Sequence, residues 1–150
     1  MLRTATSIAI AALTILTACT KKPPPPEQIA KLRGGTTTVI AYGFCIPIQR
    51  LLRLSITSNT MTYVVNGKPV GTMRTCSYAK FKVPSGYWES HFNPPPFLGM
   101  QIPHRVPASA FKPGATQYLH MYPNGNSGFY AAWVPKSVAE KGIAELKQIH

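Results

Sequence analysis

The stretch Met61-Thr62-Tyr63-Val64-Val65-Asn66-Gly67-Lys68-Pro69-Val70-Gly71-Thr72-Met73 constrains this chain more than any other. Asn-Gly between two apolar runs is the preferred type I′ hairpin turn, because both central positions need positive φ. Two antiparallel strands joined at Asn66-Gly67 are therefore expected. Pro69 cannot donate a ladder hydrogen bond, so its strand belongs at a sheet edge. A third strand follows over Ser77 to Val83. Its alternation puts Ala79, Phe81 and Val83 on one face and Tyr78, Lys80 and Lys82 on the other, as in a half-buried strand.

The same punctuation recurs along the chain. Thr36 to Ile40, continuing through Phe44, reads as a buried first strand. Ile46 to Ile56 favours strand or irregular structure over a basic helix carrying Arg50 and Arg53, because Pro47 opens it. Pro84-Ser85-Gly86 turns the chain into a strand over Tyr87 to Phe92. Asn93 to Pro103 carries four prolines and reads as a long loop of the kind that often holds a site. Val106 to Phe111, the turn Lys112-Pro113-Gly114 and Thr116 to Tyr122 form an expected hairpin. Pro123 to Gly128 turns again into Phe129 to Val134. Ser137-Val138-Ala139-Glu140 is a capping box opening a helix to about Gln148, with Val138, Ile143, Leu146 and Ile149 available for packing. Short strands, Gly and Pro turns and one terminal helix define the expected class: mainly β, a small antiparallel β-sandwich with a short C-terminal α-helix.

Before Lys21 the only charge is Arg3, and Ala5 to Leu16 is apolar over the length of a secretory signal. It is shorter than the roughly 20 apolar residues that cross a bilayer. Leu16-Thr17-Ala18-Cys19 resembles the bacterial lipobox. The resemblance implies cleavage before Cys19, which then carries a diacylglycerol and an amide-linked acyl chain; the plainer alternative is an ordinary secretory signal. Each buried CH2 contributes about 0.8 kcal/mol, so several chains hold essentially permanently. Thr20, where an Asp would favour inner-membrane retention, points to a lipoprotein of the outer membrane facing the periplasm. The expected organisation is residues 1–18 as signal peptide, 19–35 as a lipidated proline-rich tether and 36–150 as the sandwich domain. Four consecutive prolines make the tether a short stiff spacer, and Glu27 to Arg33 has room for one helical turn ended by Gly34-Gly35.

Of three cysteines, Cys45 and Cys76 remain once Cys19 is acylated. An even number in an oxidising compartment favours a bridge, closing a loop of roughly 30 residues and adding roughly 3 to 4 kcal/mol in the chain-entropy model. Two buried thiols are the alternative.

The formal net charge is +12 and falls to +11 when Arg3 leaves with residues 1–18; the four acids are all Glu. Such an excess invites nucleic acid in general, but an exported anchored protein meets anionic envelope polymers instead, and the basic residues form no long run. No nucleic-acid partner is expected. His91, His104, His120 and His150 lack the spacing of a zinc helix, and no Cys pair sits two residues apart. Glu27, Glu89, Glu140 and Glu145 give poor material for the paired carboxylates of glycoside hydrolysis. No catalytic residue, metal or cofactor is therefore expected. Tyr78, Tyr87, Trp88, Tyr118, Tyr122, Tyr130 and Trp133 could stack on glycans or line an interface, although core packing is the commoner role. The patch singled out for binding is Tyr78 with Lys80 and Lys82.

Val65-Asn66-Gly67-Lys68-Pro69-Val70-Gly71, Ser77-Tyr78, Lys82-Val83-Pro84-Ser85-Gly86, Phe111-Lys112-Pro113-Gly114 before Tyr118, and Gly142-Ile143-Ala144-Glu145-Leu146 together resemble a bacterial lipoprotein family built on domain of unknown function 2846. The resemblance covers roughly residues 36 to 148 and implies a signal sequence followed by a small β-sandwich. Its motifs are turns and core positions, so it implies a fold and no chemistry. Cys45, Cys76 and the loop from Pro94 to Pro103 depart from the pattern. The expected function is a noncatalytic, membrane-anchored envelope protein binding a protein partner or an anionic envelope component. The alternatives are a cell-wall enzyme working through Glu89 and an inhibitor lipoprotein, the latter disfavoured because a basic lysozyme repels a basic partner.

Overall fold

A computed structural model describes residues 23–43, 60–94, 103–124 and 128–147. Cys19, Cys45, the Ile46 to Ile56 segment, most of the proline loop, Ile149 and His150 lie outside the described residues. Among the described residues eight strands follow a short helix: α1 (Pro26–Lys31), β1 (Thr36–Gly43), β2 (Thr60–Val65), β3 (Lys68–Arg74), β4 (Ser77–Pro84), β5 (Gly86–Asn93), β6 (His104–Phe111), β7 (Thr116–Asn124) and β8 (Gly128–Val134). A C-terminal helix, α2 (Lys136–Lys147), closes the chain. Two four-stranded sheets form, ordered β4-β1-β7-β8 and β3-β2-β5-β6. The chain is mainly β, with two packed sheets and one terminal helix.

The Asn66-Gly67 hairpin forms as expected, with φ of 49° and 72° at the two turn residues. Pro69 lies on β3, an edge strand, where its missing N–H costs no ladder bond. Three expectations are corrected. First, the β4-β1-β7-β8 sheet is mixed rather than antiparallel, because β1 runs parallel to β7 from Thr38↔Thr116 to Gly43↔Met121. Second, β6 and β7 are not a hairpin: β6 pairs with β5, β7 with β1 and β8, so the Lys112-Pro113-Gly114 turn carries the chain from one sheet to the other. Third, α2 starts two residues before the capping box requires, with Pro135 rather than Ser137 at its N-cap. The Pro135 carbonyl accepts from Val138 and Ala139 N–H, and Glu140 pairs with Lys136 Nζ at 3.5 Å. The buried stripe also differs from the expected one: Ala139 and Leu146 are buried, Ile143 packs beside them, and Val138 is exposed.

The inner faces of both sheets form one core of Val39, Ala41, Tyr63, Phe81, Phe92, Phe111, Leu119, Met121 and neighbours. Each such side chain contributes about 1.5–3 kcal/mol when fully withdrawn from water. Buried Thr37 ties the sheet crossings together: its hydroxyl donates to the Lys112 carbonyl at 2.6 Å and lies 3.3 Å from Ser85 Oγ. The expected tether is partly folded against the domain. α1 follows the prolines and approaches β5, and the Gly35 carbonyl accepts from Ser85 N–H at 3.2 Å.

Candidate functional site

Alternation leaves a second, outward-facing set of side chains on the β4-β1-β7-β8 sheet. On β4 these are Tyr78, Lys80 and Lys82, the residues chosen from sequence, while Ala79, Phe81 and Val83 turn inward. The register extends this set across the sheet. Tyr78 pairs with Tyr42 on β1, and Tyr42 with His120 on β7. One pleat along, Tyr122 pairs with Tyr130 on β8. Lys80 sits opposite Ile40, and Lys82 opposite Thr38, to whose hydroxyl its ammonium donates at 3.0 Å. Four strands thus assemble an aromatic row flanked by two lysines on the β4 edge.

The middle of the row is in contact ring to ring. Tyr42 and His120 stack at 4.5 Å and 10°, and His120 meets Tyr122 at 3.8 Å and 44°. Tyr78, Tyr122 and Tyr130 are exposed, by 39%, 40% and 64%, which makes them available for a partner. Tyr42 is buried beneath α2, packed with Ala139 and Leu146. The helix comes that close only because residue 142 is glycine, since a Cβ there would stand 2.5 Å from Tyr42 Cε2.

Burial has left polar atoms unmet. Among the described residues Tyr42 Oη and His120 Nδ1 have no hydrogen-bond partner. Burial raises the Tyr42 hydroxyl above its ordinary pKa, with the neighbouring Tyr122 and Glu145 adding to the shift. Burial also holds His120 below its ordinary 6.5, opposed by Glu145. The imidazole is therefore neutral at neutral pH, and the face carries its positive charge on lysine.

Most other aromatics singled out from sequence serve packing. The Trp88 indole donates to the Pro84 carbonyl at 2.9 Å and the Trp133 indole to the Pro107 carbonyl at 2.8 Å, and both rings lie against the core. Tyr118 packs under α2. Glu89 stands exposed at a bulge of β5, in the other sheet from His120. Among the described residues no group of three His, Cys, Asp or Glu gathers to hold a metal, and no helix is long and apolar enough to cross a membrane. Cys76 lies in the β3–β4 turn at φ 54°.

Sequence reading found the β4 end of this face and missed Tyr42 and His120. The spacing Tyr118, His120, Tyr122 was a usable signal, because three ring side chains at period two mark one face of a strand. Comparison with known proteins adds no relative: no family model, curated protein or solved structure matches the chain.

Proposed function

We propose that this protein is a lipid-anchored component of a bacterial envelope that binds an anionic envelope partner, without catalysis, through the outer face of the β4-β1-β7-β8 sheet. The observation that carries the reading is the joining of Tyr78, Lys80 and Lys82 to the exposed Tyr122 and Tyr130 through the Tyr42–His120 stack. Exposed tyrosines supply contact area at low entropic cost, and lysines supply attraction to anions. The noncatalytic assignment rests on the spread of the four glutamates over α1, β5 and α2. Anchoring at Cys19 rests on the lipobox resemblance, and outer-membrane placement on Thr20. The likeness to the domain of unknown function 2846 family is consistent with such a protein and lends no activity.

A Cys45–Cys76 bridge belongs to the same proposal. Gly43 pairs with Ser77 at the end of the β1–β4 ladder, so in sequence Cys45 comes two residues after, and Cys76 one residue before, that last pair. Nonreducing mass spectrometry tests it: a Cys45–Cys76 peptide is expected, and two alkylatable thiols contradict it.

A photoreactive residue at position 78, in intact cells, is expected to crosslink to a specific envelope component, and a Lys80→Glu, Lys82→Glu pair to reduce the yield. Unchanged recovery overturns the patch. Cys19→Ser is expected to leave the chain unlipidated and unprocessed, whereas normal processing and membrane fractionation end the anchor assignment.

A further inference from the structure

The segment that leads into β1 joins the sandwich at one end of its strands. The Gly35 carbonyl accepts from Ser85 N–H at 3.2 Å, which ties this entry to the β4–β5 turn, and the Thr36 carbonyl accepts from Gly114 N–H at 2.9 Å, which ties it to the β6–β7 turn. Thr38 N–H donates to the Ala115 carbonyl at 2.9 Å, and the Thr37 hydroxyl closes the same joint on the Lys112 carbonyl. The passage from β8 into α2 lies at this end too, because Tyr118, near the start of β7, pairs with Val134. Thr116 and Lys136 line one groove there. The end is thus a face braced by backbone bonds rather than a set of independent loops.

What this face exposes is basic. Arg33, Lys112 and Lys136 are exposed on the entry, the β6–β7 turn and the start of α2, with the short residues Pro84, Pro113, Gly114 and Pro135 also exposed there. The glutamates do not cancel the charge. Glu140 pairs with Lys136 at 3.5 Å with both side chains more than half exposed, and such pairs are weak enough to yield to another anion. Glu145 lies further along α2, Glu89 further along β5, and Glu27 shares α1 with Lys31. Lys80 and Lys82 project from the broad outer face instead. Both tryptophans stand just behind the basic end: Trp88 follows Gly86 by two residues and donates to the Pro84 carbonyl, and Trp133 precedes Pro135 by two.

Cations carried by separate segments of one end suit an extended charged surface, which needs only that they be exposed on the same side. We propose that this end docks on anionic lipid headgroups through Arg33, Lys112 and Lys136, so that the strands stand off the bilayer and the exposed Tyr122 and Tyr130, near the other end of β7 and β8, face away from it. The seven residues from Cys19 to Pro25 reach at most roughly 25 Å, so a chain anchored at its N-terminus keeps this end near the surface. Each Lys or Arg close to an anionic leaflet strengthens attachment roughly fivefold, an effect that fades within a Debye length. The inference rests on the envelope reading only for what brings the chain to a bilayer. The outer-face partner is a different one, and either can fail without the other.

The test reconstitutes the full chain through its N-terminal segment into vesicles of phosphatidylcholine alone or of an equal mixture with phosphatidylglycerol, and reads quenching of Trp88 and Trp133 fluorescence by a headgroup-labelled nitroxide lipid. Quenching is expected to be strong on the mixed vesicles, weak on the neutral ones, and reduced to the neutral level by high salt. The triple variant Arg33→Glu, Lys112→Glu, Lys136→Glu is expected to lower the docked fraction on mixed vesicles at least roughly tenfold, and each single change roughly fivefold. All three positions are exposed, so unfolding midpoints are expected to stay close to the parent's. The vesicles hold no protein or glycan, so the Lys80→Glu, Lys82→Glu pair is expected to keep the quenching. Equal quenching on both vesicles, no loss in the folded triple variant, or loss in the Lys80, Lys82 pair alone overturns the proposal. A chain that leaves neutral vesicles altogether refutes the anchor instead, and its co-flotation with mixed vesicles, parent against triple variant, then decides the docking face.

Discussion

Two aromatic stacks lie on opposite faces of the β4-β1-β7-β8 sheet, and they are finished differently. In the inner stack Tyr63 lies 4.6 Å from Phe92 and 5.1 Å from Phe81, with Phe129 edge-on to Phe92 at 5.9 Å. Its one polar atom is satisfied: Tyr63 Oη donates to Ser90 Oγ at 3.1 Å, and burial pushes the hydroxyl up to about 12. The outer stack has similar ring spacings, but Tyr42 Oη and His120 Nδ1 are unmet and Tyr122 and Tyr130 face water. Equal ring geometry therefore does not mean equal purpose. The inner stack holds the sandwich together, and the outer one keeps bonding capacity in reserve.

Substitutions can break that comparison, beginning where the largest effect is expected. Phe92→Ala removes the centre of the inner stack and is expected to cost about 3–5 kcal/mol in denaturant unfolding; a loss under about 1 kcal/mol would mean that the inner stack is not the core. Gly142→Ala pushes α2 off Tyr42 and is expected to cost about 1–3 kcal/mol, although alanine is the better helix former. Stabilisation by that change would show that α2 does not rest on the outer stack. Tyr63→Phe is expected to cost about 1 kcal/mol, while Tyr42→Phe, which deletes an unmet hydroxyl, is expected to be neutral or stabilising. The reverse ranking contradicts the difference between the stacks.

The smallest effect is in pH. Burial lowers the His120 pKa in the folded chain below 6.5, and His104, packed on Phe129 at 4.3 Å, is lowered likewise. The unfolded chain then takes up protons first as pH falls. Stability is therefore complete above pH 6.5 and declines below it until the folded imidazoles also protonate. His120→Phe keeps the ring and is expected to remove part of this decline in urea midpoints, whereas an unchanged pH profile would place the effect on His104.

What was legible in the sequence was local. Asn66-Gly67 dictates its own turn, and the alternation from Ser77 to Val83 sorts β4 into two faces without reference to the rest of the chain. Which sheet a strand joins was not legible at Lys112-Pro113-Gly114, because a tight turn reverses direction equally well within a sheet or between sheets. The parallel pairing of β1 with β7 joins Tyr42 to His120, residues far apart in sequence, so that contact is a product of topology, whereas the period-two spacing of His120 and Tyr122 is local. On α2 the packing against Tyr42 selects Ala139 rather than Val138 for the buried stripe, a choice of face that the capping residues do not encode.

The central claim is that the outer face binds while the inner one only supports it. Cosedimentation with isolated envelope material, comparing the parent chain with the Lys80→Glu, Lys82→Glu pair, tests it most directly. Both lysines are exposed, so the pair is expected to change folding stability by no more than about 0.5 kcal/mol. Retention is expected to fall at least roughly tenfold and to weaken with added salt. Undiminished, salt-independent retention by the folded variant would contradict the account.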